Sequence, residues 1–332
     1  MARKDWYLGD ATAVGFTIQA PATNGSWGGA AHTLRYFRPM NGQAGRTIGF
    51  EQNPLETLDA DPPAFSKSGR KISGSFQLPL SYAYQEGLIR LATGDTSVSP
   101  GGSGPYTHAS TLAQRVLYGT IVYYWEDYKG VKYQELYANV FVTQLTIQQD
   151  KEQRPTITVN WVAQTMTEST PAAAPTLVTP EYPDWNDCTL SADGATLIVS
   201  SITFDITRAA QEDDHGMASD NAPDVVFLGS NGQRSITLNV EGGLDDDVDD
   251  FMQAGDALTG ENKMEWNNGA SGADNRKITI DLGELLPVIS EQPRGTFGRL
   301  TSSMQFMCAT TAANPISITT TNALDAEEPP TV

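Results

Sequence analysis

Cysteine, histidine and positive charge are all scarce in this chain. Its 332 residues hold only Cys188 and Cys308, too few for a disulfide framework or a thiolate metal cluster. Cys308 alternates with Phe306 and reads as a core residue of a strand. The three histidines, His32, His108 and His215, lie in Gly-, Ser- or Asp-rich loop sequence and in no metal-ligand spacing. There is no Gly-x-Ser-x-Gly elbow, and Gly101-Gly102-Ser103-Gly104 leads into neither a Lys-Ser/Thr pair nor a helix. Neighbouring acids such as Glu126-Asp127 point to opposite faces of a strand and make no glycosidase pair. We therefore expect no catalytic residue, no cofactor and no metal, and a protein that is not an enzyme.

Lys and Arg number 21 against 40 Asp and Glu, a formal net charge of −19. That balance argues against binding DNA through phosphate neutralisation. It fits plain solubility, and it also fits a surface that has to repel a polyanion. No apolar run approaches bilayer length, so no membrane span is expected. Met1-Ala2-Arg3-Lys4-Asp5-Trp6 is followed by no apolar core of the secretory kind, which leads us to expect folding in a cytoplasm.

What the sequence does contain is an internal repetition. Gly69 to Leu80 reads as a turn and a strand, followed by a short helical pattern around Leu88 and Leu91 and an exit at Gly94-Asp95. Gly232 to Val240 reads the same way, followed by a helical pattern around Val248 and Phe251 and an exit at Gly255-Asp256. Each half then continues into strands, the last ending near Trp161 or Phe306. Repetition at this scale decides architecture before any chemistry does.

The stretch 39–66 is a long loop or an extended hairpin arm. Ile72, Phe76 and Leu78 share a strand face. Tyr84, Leu88, Leu91 and Ala92 form a helical stripe capped by Gly94. Residues 96–105 read as a flexible loop. Val116 to Trp125 is a long aromatic strand. In the next strand Leu136, Ala138, Val140 and Val142 alternate, and the phase then slips to Leu145 and Ile147, which predicts a bulge. After a polar turn at 150–153, Ile157, Val159, Trp161 and Ala163 alternate against Thr156, Thr158 and Asn160. In the second half Ile198 to Ile206 alternates and is matched in role to Leu34–Phe37, with 207–231 as a second polar arm matched to 39–66. Asp245 to Asp250 reads as the wet face of a helix over 244–254 rather than a Ca²⁺ loop. The resulting fold class is mainly β: two tandem sandwich or half-barrel domains, each with one short flanking α-helix. The first domain spans 1–167, a Pro-rich linker 168–183, the second domain 184–323, and an acidic flexible tail 324–332.

Ser68 to Tyr82 resembles the strand-to-helix segment of the tail tube (major tail) proteins of long-tailed bacteriophages. Tyr137 to Ile147 with Pro155 to Val162 is similar to that family's next hairpin, and Ile202–Ile206 with Gly229–Gly255 to the downstream part of its larger, two-domain members. The resemblance implies a structural virion protein of the tail, assembled in the host cytoplasm, whose strands join neighbours into rings that stack as a conduit for DNA. It implies a homo-oligomer, with a trimer forming a pseudo-sixfold ring favoured and a hexamer as the other option. Tape measure protein and DNA pass through the lumen without specific binding. Long loops contact the adjacent ring, which makes Arg46, Phe50, Phe65, Asp213 and Asp214 the inter-ring candidates. The second domain stands either in the tube wall or outside it as a decoration. The alternative function is a β-sandwich carbohydrate-binding or adhesion module, with Trp125, Trp161 and Trp266 as its exposed platform.

Overall fold

The structure is a computed structural model and describes residues 12–18, 34–52, 65–99, 105–112, 117–127, 129–208, 210–211, 227–228, 234–243, 257–291 and 301–323. The first half runs β1 Ala13–Ile18, β2 Arg35–Phe37, β3 Asn41–Gln52, β4 Phe65–Pro79, α1 Glu86–Thr93, β5 Gly94–Ser99, β6 Tyr106–Leu112, β7 Gly119–Glu126, β8 Lys132–Asp150 and β9 Thr156–Ser169. The second runs β10 Cys188–Ala192, β11 Ala195–Leu197, β12 Val199–Arg208, β13 Ala210–Gln211, β14 Phe227–Leu228, β15 Arg234–Gly243, β16 Lys263–Asn267, β17 Lys277–Asp281, β18 Glu284–Glu291, β19 Thr301–Ala309 and β20 Ser317–Asn322. The mainly β expectation holds.

Two large antiparallel sheets carry the core. One has 11 strands and the other 7, the latter ordered β11-β10-β16-β17-β20-β6-β5. Their facing sides share one apolar cluster, in which Phe76, Leu145, Trp161 and Phe204 of the larger sheet join Met264, Trp266, Ile280 and Ile318 of the smaller. Both sheets take strands from both halves of the chain. The 168–183 segment is laid against the first half: Val178 N donates to Tyr36 O and Tyr82 N to Glu181 O. The side-chain links between the halves are buried too. Trp266 Nε1 donates to Gln149 Oε1 at 2.6 Å, and Asn322 Nδ2 donates to Glu86 Oε1 at 2.6 Å. Burial holds the Glu86 carboxyl above the usual range, partly offset by the charge of His108 and the Asn322 hydrogen bond. Burial also pushes the thiols of Cys188 and Cys308, both unpaired by disulfides, up to about 12.

The larger sheet holds two runs of four strands that follow one order. One unit is β3-β4-β9-β8 and the other β12-β15-β19-β18, with every neighbouring pair antiparallel. The bulge expected after Val142 is present, between Val142 and Gln144, opposite Trp161 and Asn160. A second bulge lies between Pro287 and Ile289, opposite Phe306 and Gln305. Superposing the two bulges aligns Trp161 with Phe306. It also aligns their β4 and β15 partners, Gly74 and Leu238. Bulges bend a strand at one residue, so a shared bulge position marks equivalent units more sharply than strand order does. Before the bulge in chain order, β7 pairs with Val140, and among the described residues the equivalent Leu285 is bridged by Leu258.

Several expectations need correction. β12 takes the place of β3 and not of the Leu34–Phe37 strand, because β2 pairs with β1 and is bridged at Tyr36 to Leu177, away from β12 and its neighbours β15 and β8. Of the two readings of 39–66, the extended arm is the one its described residues support, with β3 and β4 in register from Asn41↔Gln77 to Gln52↔Phe65. The segment after Gly94 is not loop as far as Ser99, since it pairs with β6. Gly94 does cap α1, with φ 101° and its N–H on Arg90 O, and that left-handed turn sends the chain straight back as a strand. Tyr84 precedes the helix, at φ 72°. In β8 a further irregularity at Asn139, φ 53°, turns Tyr137 into the core in place of Leu136. His108 lies buried in β6 rather than in a loop. The 244–254 helix, the Asp245–Asp250 run, His32, His215 and the 324–332 tail lie outside the described residues.

Candidate functional site

The alternation of β8, β9, β12 and β15 gives the larger sheet two chemically different faces. Leu145, Ile147, Ile157, Val159, Ile202, Phe204, Ile206, Ile236, Leu238 and Val240 turn to the core. The residues between them turn away from it. On that opposite face, β8 from Gln144 to Asp150 presents Gln144, Thr146, Gln148 and Asp150. β9 presents Thr156, Thr158, Asn160 and Val162. β12 presents Ser201, Thr203, Asp205 and Thr207, and β15 presents Ser235, Thr237, Asn239 and Glu241. These stretches contain no Lys or Arg. Their charge is confined to the three acids Asp150, Asp205 and Glu241, so the lack of cations distinguishes the face more than any density of anions does.

The smaller sheet shows the contrast. Its outward face carries Lys263, Glu265, Lys277 and Asp281, with Lys277 Nζ 2.7 Å from Glu265 Oε2. Cations are therefore available to this fold, and they stand on the other side of the sandwich.

The polar face ties its own groups together across the junction of the two units. β8 and β12 pair directly, from Gln144↔Thr207 to Asp150↔Ser201. Asp205 of the second unit accepts from Gln144 Nε2 at 3.2 Å and from the Thr146 hydroxyl. Asn160 Nδ2 donates to Gln144 Oε1 at 2.8 Å, and the Ser201 hydroxyl donates to Asp150 at 2.9 Å. Further along, Asn41 Nδ2 donates to Gln77 Oε1 and Gln77 Nε2 to Thr156 Oγ1. The amides of Asn41, Gln77, Gln144 and Asn160 are thus engaged with neighbours on the same sheet.

The residues singled out from sequence fall elsewhere. Arg46, Phe50 and Phe65 lie on the β3–β4 hairpin, opposite Ile72, Lys67 and Gln52 respectively. β9 pairs with β4 only from Ile72 to Pro79, so the hairpin runs on beyond that ladder. Asp213 and Asp214 lie outside the described residues. The face itself was legible only as a run of polar alternates, because which side of a sheet lacks cations depends on how the strands line up.

The three tryptophans proposed as a carbohydrate platform do not form one. Trp161 and Trp266 are 1% and 0% exposed in the core. Trp125 stacks on Tyr133 at the β7–β8 hairpin, ring centroids 5.9 Å apart. A cavity of about 470 Å³ beside the β8–β9 turn is lined by Trp185, Ile198, Cys188 and Lys151, with Trp185 as its single aromatic.

Compared with protein families, the chain matches over residues 9–293 a family model described as phage tail tube protein. Among curated proteins nothing matches it.

Proposed function

The chain belongs to the phage tail tube proteins, structural components of the virion tail that build a multimeric tube, and on that footing we propose that its cation-free sheet face lines the bore through which DNA leaves. The observation that carries this reading is the outward side of four stretches of the larger sheet, 144–150, 156–162, 201–207 and 235–241, where Gln, Thr, Asn, Ser, one Val and three carboxylates stand without a Lys or Arg. A basic wall would bind phosphates by counterion release and hold the DNA. A neutral polar wall with sparse negative charge lets it slide. The role is structural, with no catalytic step, and assembly takes place in the host cytoplasm.

Two like units per chain support a ring of three chains with pseudo-sixfold symmetry, since closure counts units and not polypeptides. A ring of six chains, with one unit decorating the outside, is the competing count. The direct pairing of β8 with β12 supports the first, since it joins strands of both halves in one sheet. Tape measure protein and DNA would occupy the lumen without specific contacts, and the β3–β4 arm would reach the next ring.

Negative-stain microscopy of the purified protein tests the assembly: rings or tubes about ten nanometres across are expected from six sandwich units. A monomer that stays monodisperse at high concentration overturns the proposal. The bore is tested by Asp205→Lys with Asp150→Lys. Assembled wild-type tubes should leave a short duplex unbound at low salt, whereas the variant tubes should retain it and release it as salt rises. If the variant tubes ignore DNA as the wild type does, this face is not the bore.

A further inference from the structure

The outward face of the smaller sheet brings an amine, a carboxylate and a carboxamide together at one end of a hairpin. Asn267 and Lys277 stand directly opposite one another in β16 and β17, and Glu265 is the next residue of β16 on that face. Glu265 holds the Lys277 ammonium on Oε2 at 2.7 Å and accepts from the Asn267 side-chain amide on Oε1 at 3.3 Å. The other end of that amide is held too, since Asn267 Oδ1 accepts from the Gly269 backbone N–H at 2.9 Å. The Glu265 side chain is 14% exposed. Lys263 and Glu261 also stand 2.7 Å apart, but there the carboxylate is 68% exposed, an ordinary surface pair.

The turn between the two strands keeps these groups in place. Asn268 N donates to Arg276 O, and Asn268 Oδ1 accepts from the backbone N–H groups of Ala270 and Arg276. Asn268 Nδ2 donates to Asp274 O, and Gly269, at φ 69°, supplies the left-handed residue of the turn. On the flanking strands, β10 sets Thr189 and Ser191 on this face and β20 sets Ser317, Thr319 and Thr321. Lys263 and Asp281 are the other charged residues that β16 and β17 place there. Burial works to raise the pKa of Glu265, and the Lys277 ammonium outweighs it and holds the carboxyl below its usual range. Glu265 is therefore ionised and stands as a proton acceptor between two nitrogens.

We propose that Lys277 and Asn267 join in an intramolecular isopeptide bond, with Glu265 moving the protons between their side-chain nitrogens. Glu265 takes a proton from the Lys277 ammonium and frees the lone pair of the amine. The amine attacks Cγ of Asn267, and negative charge develops on Oδ1, where the Gly269 N–H already donates. Glu265 then gives its proton to Nδ2, the Cγ–Nδ2 bond breaks, and that nitrogen leaves as ammonia. The new amide nitrogen sheds its surplus proton to Glu265, which passes it on to make ammonium. Lysine ammonium and asparagine carboxamide thus become one secondary amide and one ammonium ion, with no oxidant, reductant or cofactor consumed. The pinned turn makes the attack unimolecular, which is where positioned groups gain most of their rate. The bond is a covalent clip across the last rung of β16 and β17, and it does not depend on the tube reading.

Intact-mass spectrometry of the full chain, followed by tryptic mapping, is the test. The protein is incubated at about pH 9, where a larger share of lysine amine is neutral than at pH 7. Wild type should then be lighter than its sequence by one ammonia. It should yield a branched peptide that joins Met264–Arg276 to the segment beginning at Lys277 and is uncut after Lys277. Glu265→Gln keeps the size of the side chain without the proton acceptor and should yield no branched peptide. Lys277→Arg keeps the cation and should yield none either. Absence of the branched peptide from wild type overturns the proposal. Its appearance in Glu265→Gln at wild-type yield overturns the role of the carboxylate. A chain lighter by one ammonia but still cut after Lys277 also refutes the bond, because ring closure at Asn268-Gly269 loses the same mass.

Discussion

Gly74 and Trp161 offer a stringent test of how the first unit packs. They stand opposite one another in β4 and β9, and Trp161 is 1% exposed. A Cβ on Gly74 would sit 2.4 Å from Trp161 Cζ2, 2.8 Å from its Cε2 and 2.7 Å from the Gln43 carbonyl oxygen. The indole therefore occupies the space a side chain at 74 would need. The equivalent pair in the second unit divides the same space differently, with Leu238 opposite Phe306. Gly74→Ala should cost about 1–3 kcal/mol, the usual range for overpacking a rigid core, or very roughly 2–6 °C in melting temperature for a domain-sized chain. Trp161→Phe alone should also destabilise, since it leaves a void. The two changes together should cost about 1 kcal/mol or more less than their sum, because the smaller ring vacates the site of the new methyl. Urea unfolding followed by far-UV circular dichroism measures all four corners of the cycle. Additivity to within about 0.5 kcal/mol would falsify the claim that the glycine is there to admit the indole.

Two further predictions concern the buried polar links. Glu86 ionises at about 4.3 in the unfolded chain and above its usual range when folded. Between those two values the folded state holds a proton that the unfolded state has released, so stability falls as pH rises through that window and then levels off. Glu86→Gln, which keeps a carbonyl for Asn322, should flatten the fall, seen as a smaller difference in melting temperature between pH 4 and pH 7. An unchanged difference would assign the pH dependence to other groups. Gln149 accepts from the Trp266 indole and donates to the Trp185 carbonyl at 2.7 Å. Gln149→Leu strands a buried N–H and should cost about 1–3 kcal/mol in urea unfolding, whereas a neutral result would mean that water reaches the indole.

What is legible in the amino-acid order depends on the range of the interactions involved. α1 and its Gly94 cap, the Val142–Gln144 bulge and the β8–β9 hairpin could be located from periodicity, because a buried face imposes its spacing on adjacent residues. The Asn139 irregularity could not. It breaks the alternation within a strand that is buried on both sides there, so Leu136 and Tyr137 look equally fit for the core. His108 was misplaced for a related reason: its Ser and Thr neighbours resemble a loop, and only pairing with β20 shows a strand. Trp161 and Trp266 resembled a binding platform until burial decided otherwise.

By itself the sequence determined that this is a mainly β protein short of cations, since composition and local alternation carry that information without any long-range contact. Tertiary structure alone decided how the repeats meet. The pairing of β8 with β12 brings together segments more than fifty residues apart in the chain. No local pattern encodes which strand lies beside which, because every strand offers the same backbone hydrogen bonds. That pairing joins strands of both halves in one sheet and gathers polar residues of β8 and β12 on one face.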